Sequence, residues 1–116
     1  MAESAGRQRR KFPRLEIPFD GRWDGAAGSR LVRIVSLSLG GCFIDGLGAP
    51  RVGEQLNVTI SFPEAAPLAL SGTVAYLAEP QGFAVQFSSD APEQASLLVE
   101  RLKECGLADP YAVDRG

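Results

Sequence analysis

Gln55-Leu56-Asn57-Val58-Thr59-Ile60-Ser61-Phe62 alternates polar and apolar residues without interruption. Period two belongs to an extended chain with one face buried, because successive side chains of a strand point to opposite sides. Downstream, a turn over 63–67, with a proline at each end, leads to a strand over 68–77, in which Gly72 reads as a bulge. Glu79-Pro80-Gln81-Gly82 makes a tight connection, after which Phe83, Val85 and Phe87 alternate with Ala84, Gln86 and Ser88. Upstream, 42–45 is a short strand ended by Gly46-Leu47-Gly48. A strand over 30–37 carries Val32 and Ile34 on one face and Leu31, Arg33 and Val35 on the other, the pattern of a central strand. Leu15, Ile17 and Phe19 alternate over 15–20, where Pro18 makes that strand an edge or a bulged one. Trp23 is expected to pack into the core, and Gly25-Ala26-Ala27-Gly28 to turn. Short strands this closely spaced predict a mostly β chain forming a small antiparallel barrel, not alternating β/α units.

One helix follows. Asp90-Ala91-Pro92-Glu93 has capping-box spacing with proline in the first turn, Leu98, Leu102 and Cys105 make an apolar stripe, and Gly106 stops the helix. Residues 107–116 offer little to pack and are expected to fray, and 1–9 carry no apolar periodicity and read as a flexible basic arm. The folded unit is therefore expected over 10–106. At 116 residues the chain has the size of one domain able to bury a core without staples.

Charge is unevenly placed. Arg7, Arg9, Arg10, Lys11 and Arg14 face a single acid, Glu3, within the first 14 residues; the rest holds seven basic and thirteen acidic residues. A local anion site at the arm fits this better than a nucleic-acid surface over the whole molecule. Cys42 and Cys105 are far apart and form no zinc or redox spacing, which suggests a reduced pair. No apolar segment approaches a leader or a membrane span, so a soluble cytoplasmic protein is expected. Histidine is absent, and no Ser, Cys or carboxylate pair has an activating context. Asp20, Asp24, Glu100 and Glu104 read as solvated surface charges, so the expectation is a binding protein without catalytic or metal-ligating residues.

Two stretches carry binding chemistry. In Arg9-Arg10-Lys11-Phe12-Pro13-Arg14, Pro13 keeps Phe12 extended, so Arg10 and Arg14 stand on an arm and not on a helix. Guanidinium pairs phosphate oxygens bidentately, stacks on bases and matches the O6/N7 edge of guanine. In Ser36-Leu37-Ser38-Leu39-Gly40-Gly41 the two serines share a face and offer short hydroxyls, while Gly41 lets a flat ligand approach the backbone.

In this order the two stretches resemble the R-x-x-x-R and (D/N)-x-S-x-x-G motifs of PilZ domains, bacterial receptors for cyclic di-GMP. The resemblance covers roughly 9–102 and includes the later hydrophobic-Gly-x-Val pattern at Leu70-Ser71-Gly72-Thr73-Val74 and Gly82-Phe83-Ala84-Val85. It implies a six-stranded barrel with a C-terminal helix. It also implies a cyclic di-GMP site built from Arg9, Arg10, Arg14, Ser36, Ser38, Gly40 and Gly41, with Arg10 and Arg14 contacting phosphate and the guanine edge. Arg9, just ahead of the motif, implies an intercalated dimer of the dinucleotide. No other cofactor is implied, and the partner would be a separate effector protein. The departure is Ser36, where the family has Asp or Asn: its neutral hydroxyl replaces an acceptor for the guanine edge, at a cost of about 1 kcal/mol. Two other readings stay open: an interaction module of the same fold without nucleotide binding, which Ser36 favours, and a barrel binding single-stranded nucleic acid. The latter lacks aromatic interleaving, Phe12 being the arm's one stacking residue.

Overall fold

The computed structural model describes residues 12–26, 28–46, 50–78, 81–88 and 92–111, and the alternating stretch forms a strand there over Gln55–Ile60. Seven strands are described in chain order: β1 (Arg14–Leu15), β2 (Phe19–Gly25), β3 (Gly28–Ser38), β4 (Gly41–Asp45), β5 (Gln55–Ile60), β6 (Leu68–Leu77) and β7 (Phe83–Phe87). Helix α1 spans Pro92–Glu104. Every pairing is antiparallel, in the sheet order β1-β3-β2-β5-β6-β7-β4, and β4 returns to pair with β3. Six strands thus close into a barrel, while β1 extends the place that β2 holds beside β3. Closure pairs both edges of the sheet and removes the hazard of an open one.

Two expectations about the strands are corrected. The strand expected over 15–20 is two strands, because Glu16-Ile17-Pro18 leaves the ladder between Leu15↔Leu37 and Phe19↔Ile34, and Pro18 has no N–H to give it. The second of them runs on through Trp23 to Gly25. Gly72 is no bulge: it stays in register with Leu56 and Phe87, and a Cβ there would lie 2.5 Å from Val85 Cγ1 and 2.8 Å from the Gln86 carbonyl oxygen. The bulge in β6 falls instead between Val74 and Tyr76. β3 contains another, its register passing from Ile34↔Ile44 to Ser36↔Phe43, so Val35 is the extra residue. That insertion brings Ile34 and Leu37, three apart, into the core together, both fully buried.

Aromatic and aliphatic residues from every barrel strand meet inside. Trp23 packs edge-on against Phe83 at 5.8 Å between ring centres, and Phe19 against Phe62 at 5.2 Å. From α1, Leu98 and Leu102 join the same core. The helix ends as Gly106 predicts, with the Gly106 N–H donating to the Lys103 carbonyl and the Leu107 N–H to the Leu102 carbonyl, both at 3.0 Å. Gly106 takes the left-handed φ of +108° that this termination requires. The chain then keeps packing where fraying was expected: Leu107 lies against the core and Pro110 is fully buried. Asp90 and Ala91 of the expected cap, and the arm over 1–9, lie outside the described residues.

Candidate functional site

Hairpin β3–β4 builds the site. Ser38 pairs with Arg14 across β1–β3, which sets the motif's second arginine beside its serine. The Ser38 hydroxyl accepts a hydrogen bond from the Gly40 N–H at 3.2 Å and donates to the Gly41 carbonyl at 3.4 Å, so the serine holds the turn itself. Gly40 is covered by the arm: a Cβ there would stand 3.2 Å from Phe12 Cδ2. At Gly41 the absent Cβ would run into the carbonyl oxygen of Val85 on β7. This glycine therefore permits close approach of two strands, and not the approach of a flat ligand from that side.

A cavity of about 570 Å³ lies over this hairpin, and Arg14, Ser36, Ser38, Gly40 and Gly41 all line it. Its size suits a compact organic ligand. Arg14 is exposed and supplies the cavity's positive charge; among the described lining residues there is no carboxylate. Cys42, also at the wall, stays a neutral thiol because burial pushes its pKa up to about 12. An anion beside a guanidinium is thus favoured with nothing of its own sign to oppose it. Ser36 lies deeper than its motif role suggests, with 6% of its surface exposed, whereas Ser38 is half-buried. The bulge at Val35 lets Ser36 and Ser38 line the same cavity while Leu37 between them points into the core.

Sequence reasoning placed seven residues at the site, and the structure brings five of them together. Arg9 and Arg10 lie outside the described residues. It missed the opposite wall, which β6 and β7 supply through Tyr76 and Gln86. Tyr76, 53% exposed, is an aromatic side chain presented to solvent at the cavity edge. The signal for Gln86 was available, since it occupies an outward position between inward Val85 and Phe87. Tyr76 was hidden by the preceding bulge, which shifts the phase of the alternation.

A larger hollow of about 810 Å³ lies along the outer face of β5, β6 and β7, lined by Asp24, Gln55, Asn57 and Thr73 among others, and it holds none of the predicted residues. The Ser29 hydroxyl holds the Asp24 carboxyl there below the usual range. Among the described residues no group of three or more His, Cys, Asp or Glu is placed to hold a metal ion, and no helix is long and apolar enough to cross a membrane.

The family described as "PilZ domain" matches residues 8–104. Two solved structures share the fold. The inhibitor of motility of Bacillus subtilis (MotI/DgrA) superposes with a TM-score of 0.67 at 19% identity, over 84% of this chain and 52% of that one. YcgR of Escherichia coli, solved in complex with c-di-GMP, superposes with a TM-score of 0.71 at 17% identity, over 84% of this chain and 46% of that one. The chain spans about half the length of each. Comparison with curated proteins returns no match.

Proposed function

This chain belongs to the PilZ domain family, and from that premise we propose that it is a receptor for cyclic di-GMP. The observation that carries the reading is the convergence of both motifs on one cavity: Arg14 from the first, and Ser36, Ser38, Gly40 and Gly41 from the second. A ligand with two phosphates and two guanines supplies an anion for Arg14 and flat faces for the exposed Tyr76 ring. Arg10, four residues ahead of Arg14, joins it as the arm folds over the cavity, and Arg9 favours a second, intercalated nucleotide. Closing the arm costs conformational entropy, which charge-assisted hydrogen bonds and base stacking offset. The surface formed by the closed arm is what a separate effector protein then meets. The function is a switch without a chemical reaction.

A calorimetric titration with cyclic di-GMP tests this directly and counts the nucleotides bound. Binding is expected, with Arg10→Ala and Arg14→Ala each weakening it at least tenfold, since each removes a charge-assisted contact worth about 1.5–3 kcal/mol. Absence of heat at saturating nucleotide overturns the reading. It would favour the second one, an interaction module of PilZ fold without nucleotide, for which the burial of Ser36 in place of an acidic side chain is the specific support.

A further inference from the structure

We infer that Gln86 reads a purine edge of the bound dinucleotide. This rests on the reading of the cavity as a cyclic di-GMP site. In β7, Phe83, Val85 and Phe87 are buried in the barrel, so Ala84 and Gln86 face outward. Gln86 stands directly across β4–β7 from Gly41. Gly41 carries no side chain, and this lets the backbones of β4 and β7 approach closely at that pair. Gln86 lines the cavity and also borders the larger hollow, and no side-chain hydrogen bond engages its carboxamide among the described residues.

The remaining polar side chains at the described wall point to the same residue. They are one cation, Arg14, and hydroxyls such as those of Ser36, Ser38 and Tyr76; Gln86 is the one carboxamide, and there is no carboxylate. Ser38 is engaged in the turn and Ser36 is almost fully withdrawn. Guanine presents the O6 acceptor next to the N1–H donor. A planar carboxamide matches that pair, Nε2–H donating to O6 while Oε1 accepts from N1–H. A hydroxyl has one hydrogen to donate and cannot span both positions. The carboxamide has a further consequence. Turned over, it offers a donor to N1 and an acceptor to the N6 amino group of adenine. A site read by Gln86 therefore tolerates adenine, whereas a carboxylate in the same place accepts from guanine N1–H and N2–H₂ and repels adenine N1.

The experiment is calorimetry with cyclic di-GMP and cyclic di-AMP on the full chain, using wild type, Gln86→Met and Gln86→Glu. Gln86 is exposed, so all three are expected to melt at similar temperatures. Gln86→Met keeps the bulk and loses the amide, and is expected to weaken cyclic di-GMP about tenfold, the effect of losing two neutral hydrogen bonds. Gln86→Glu is expected to raise the preference for cyclic di-GMP over cyclic di-AMP. Unchanged cyclic di-GMP affinity in Gln86→Met, or an unchanged preference in Gln86→Glu, overturns the assignment while the receptor reading stands. Wild type that binds neither dinucleotide overturns the receptor reading, and the assignment with it.

Discussion

Gly41 shows how a motif residue can serve the fold first. Its place in S-x-S-x-x-G suggests a bare patch for a ligand, yet the direction a Cβ would take is filled by the Val85 carbonyl oxygen. Backbone cannot yield there as a flexible side chain would. Gly41→Ala is therefore expected to lower unfolding free energy by about 1–3 kcal/mol, the range for overpacking, read as a lower urea midpoint. Gly40→Ala meets the Phe12 ring at 3.2 Å, and that ring can move, so it is expected to cost less than Gly41→Ala in the same titration. Cys42 makes a prediction in pH. Its thiol, normally near 9.0, is raised to about 12 by burial, so the folded state keeps a proton that the unfolded chain releases. Stability from this group is complete below pH 9 and is lost as pH rises from 9 to 12. Cys42→Ala should flatten that alkaline decline in thermal melts, and an equal decline in both proteins would exclude Cys42 as a source of it. At this scale Ser36 and Ser38 were legible because period two survives in sequence. The depth of Ser36 and the neighbour of Gly41 were not, since both depend on which strand lies alongside.

Each element was legible where its hydrophobic period ran unbroken. β5, β6 and β7 fall within two residues of the predicted strands, and α1 stops at the glycine that sequence assigned to it. What sequence concealed were the irregularities: the break at Glu16-Ile17-Pro18 and the bulges at Val35 and after Val74. A bulge adds one residue and reverses the phase of everything after it, so a period-two reading fails at the point where the strand bends. These are also the places that shape the site, because the Val35 bulge sets the serine face and the β6 bulge presents Tyr76. The helix gives the cleanest contrast in energy. Leu98 is 1% exposed within the barrel core, while its neighbour Leu97 is 43% exposed. Leu98→Ala is expected to cost about 2–5 kcal/mol. Leu97→Ala should stay within about 0.5 kcal/mol of wild type, as surface substitutions do. Chemical denaturation of the pair measures both, and comparable losses would show that α1 packs through a different face.

Over the whole molecule, closure of the barrel and division of charge act together. Alternation alone foretold a small barrel but not how it closes, because the pairing of β4 with β7 joins segments that no local pattern links. Closure brings the arm's Arg14 against a wall made from β3, β4, β6 and β7, so the cation sits on a preformed surface. The remainder of the chain is acidic, thirteen acids against seven basic residues after position 14, and repels a dianionic nucleotide except where the arm and its guanidinium groups lie. Binding should accordingly be local and electrostatic in its salt response. Exposed charges are screened over about 8 Å at physiological ionic strength and about 3 Å at 1 M. Raising sodium chloride from 0.05 M to 0.5 M is thus expected to weaken cyclic di-GMP binding several-fold in wild type. In Arg14→Ala, with one fewer phosphate contact, the same titration should show a shallower slope as well as lower affinity. Parallel slopes for the two proteins would mean that Arg14 supports the shape of the site without touching phosphate, and the charge of the complex would then have to come from the arginines ahead of it.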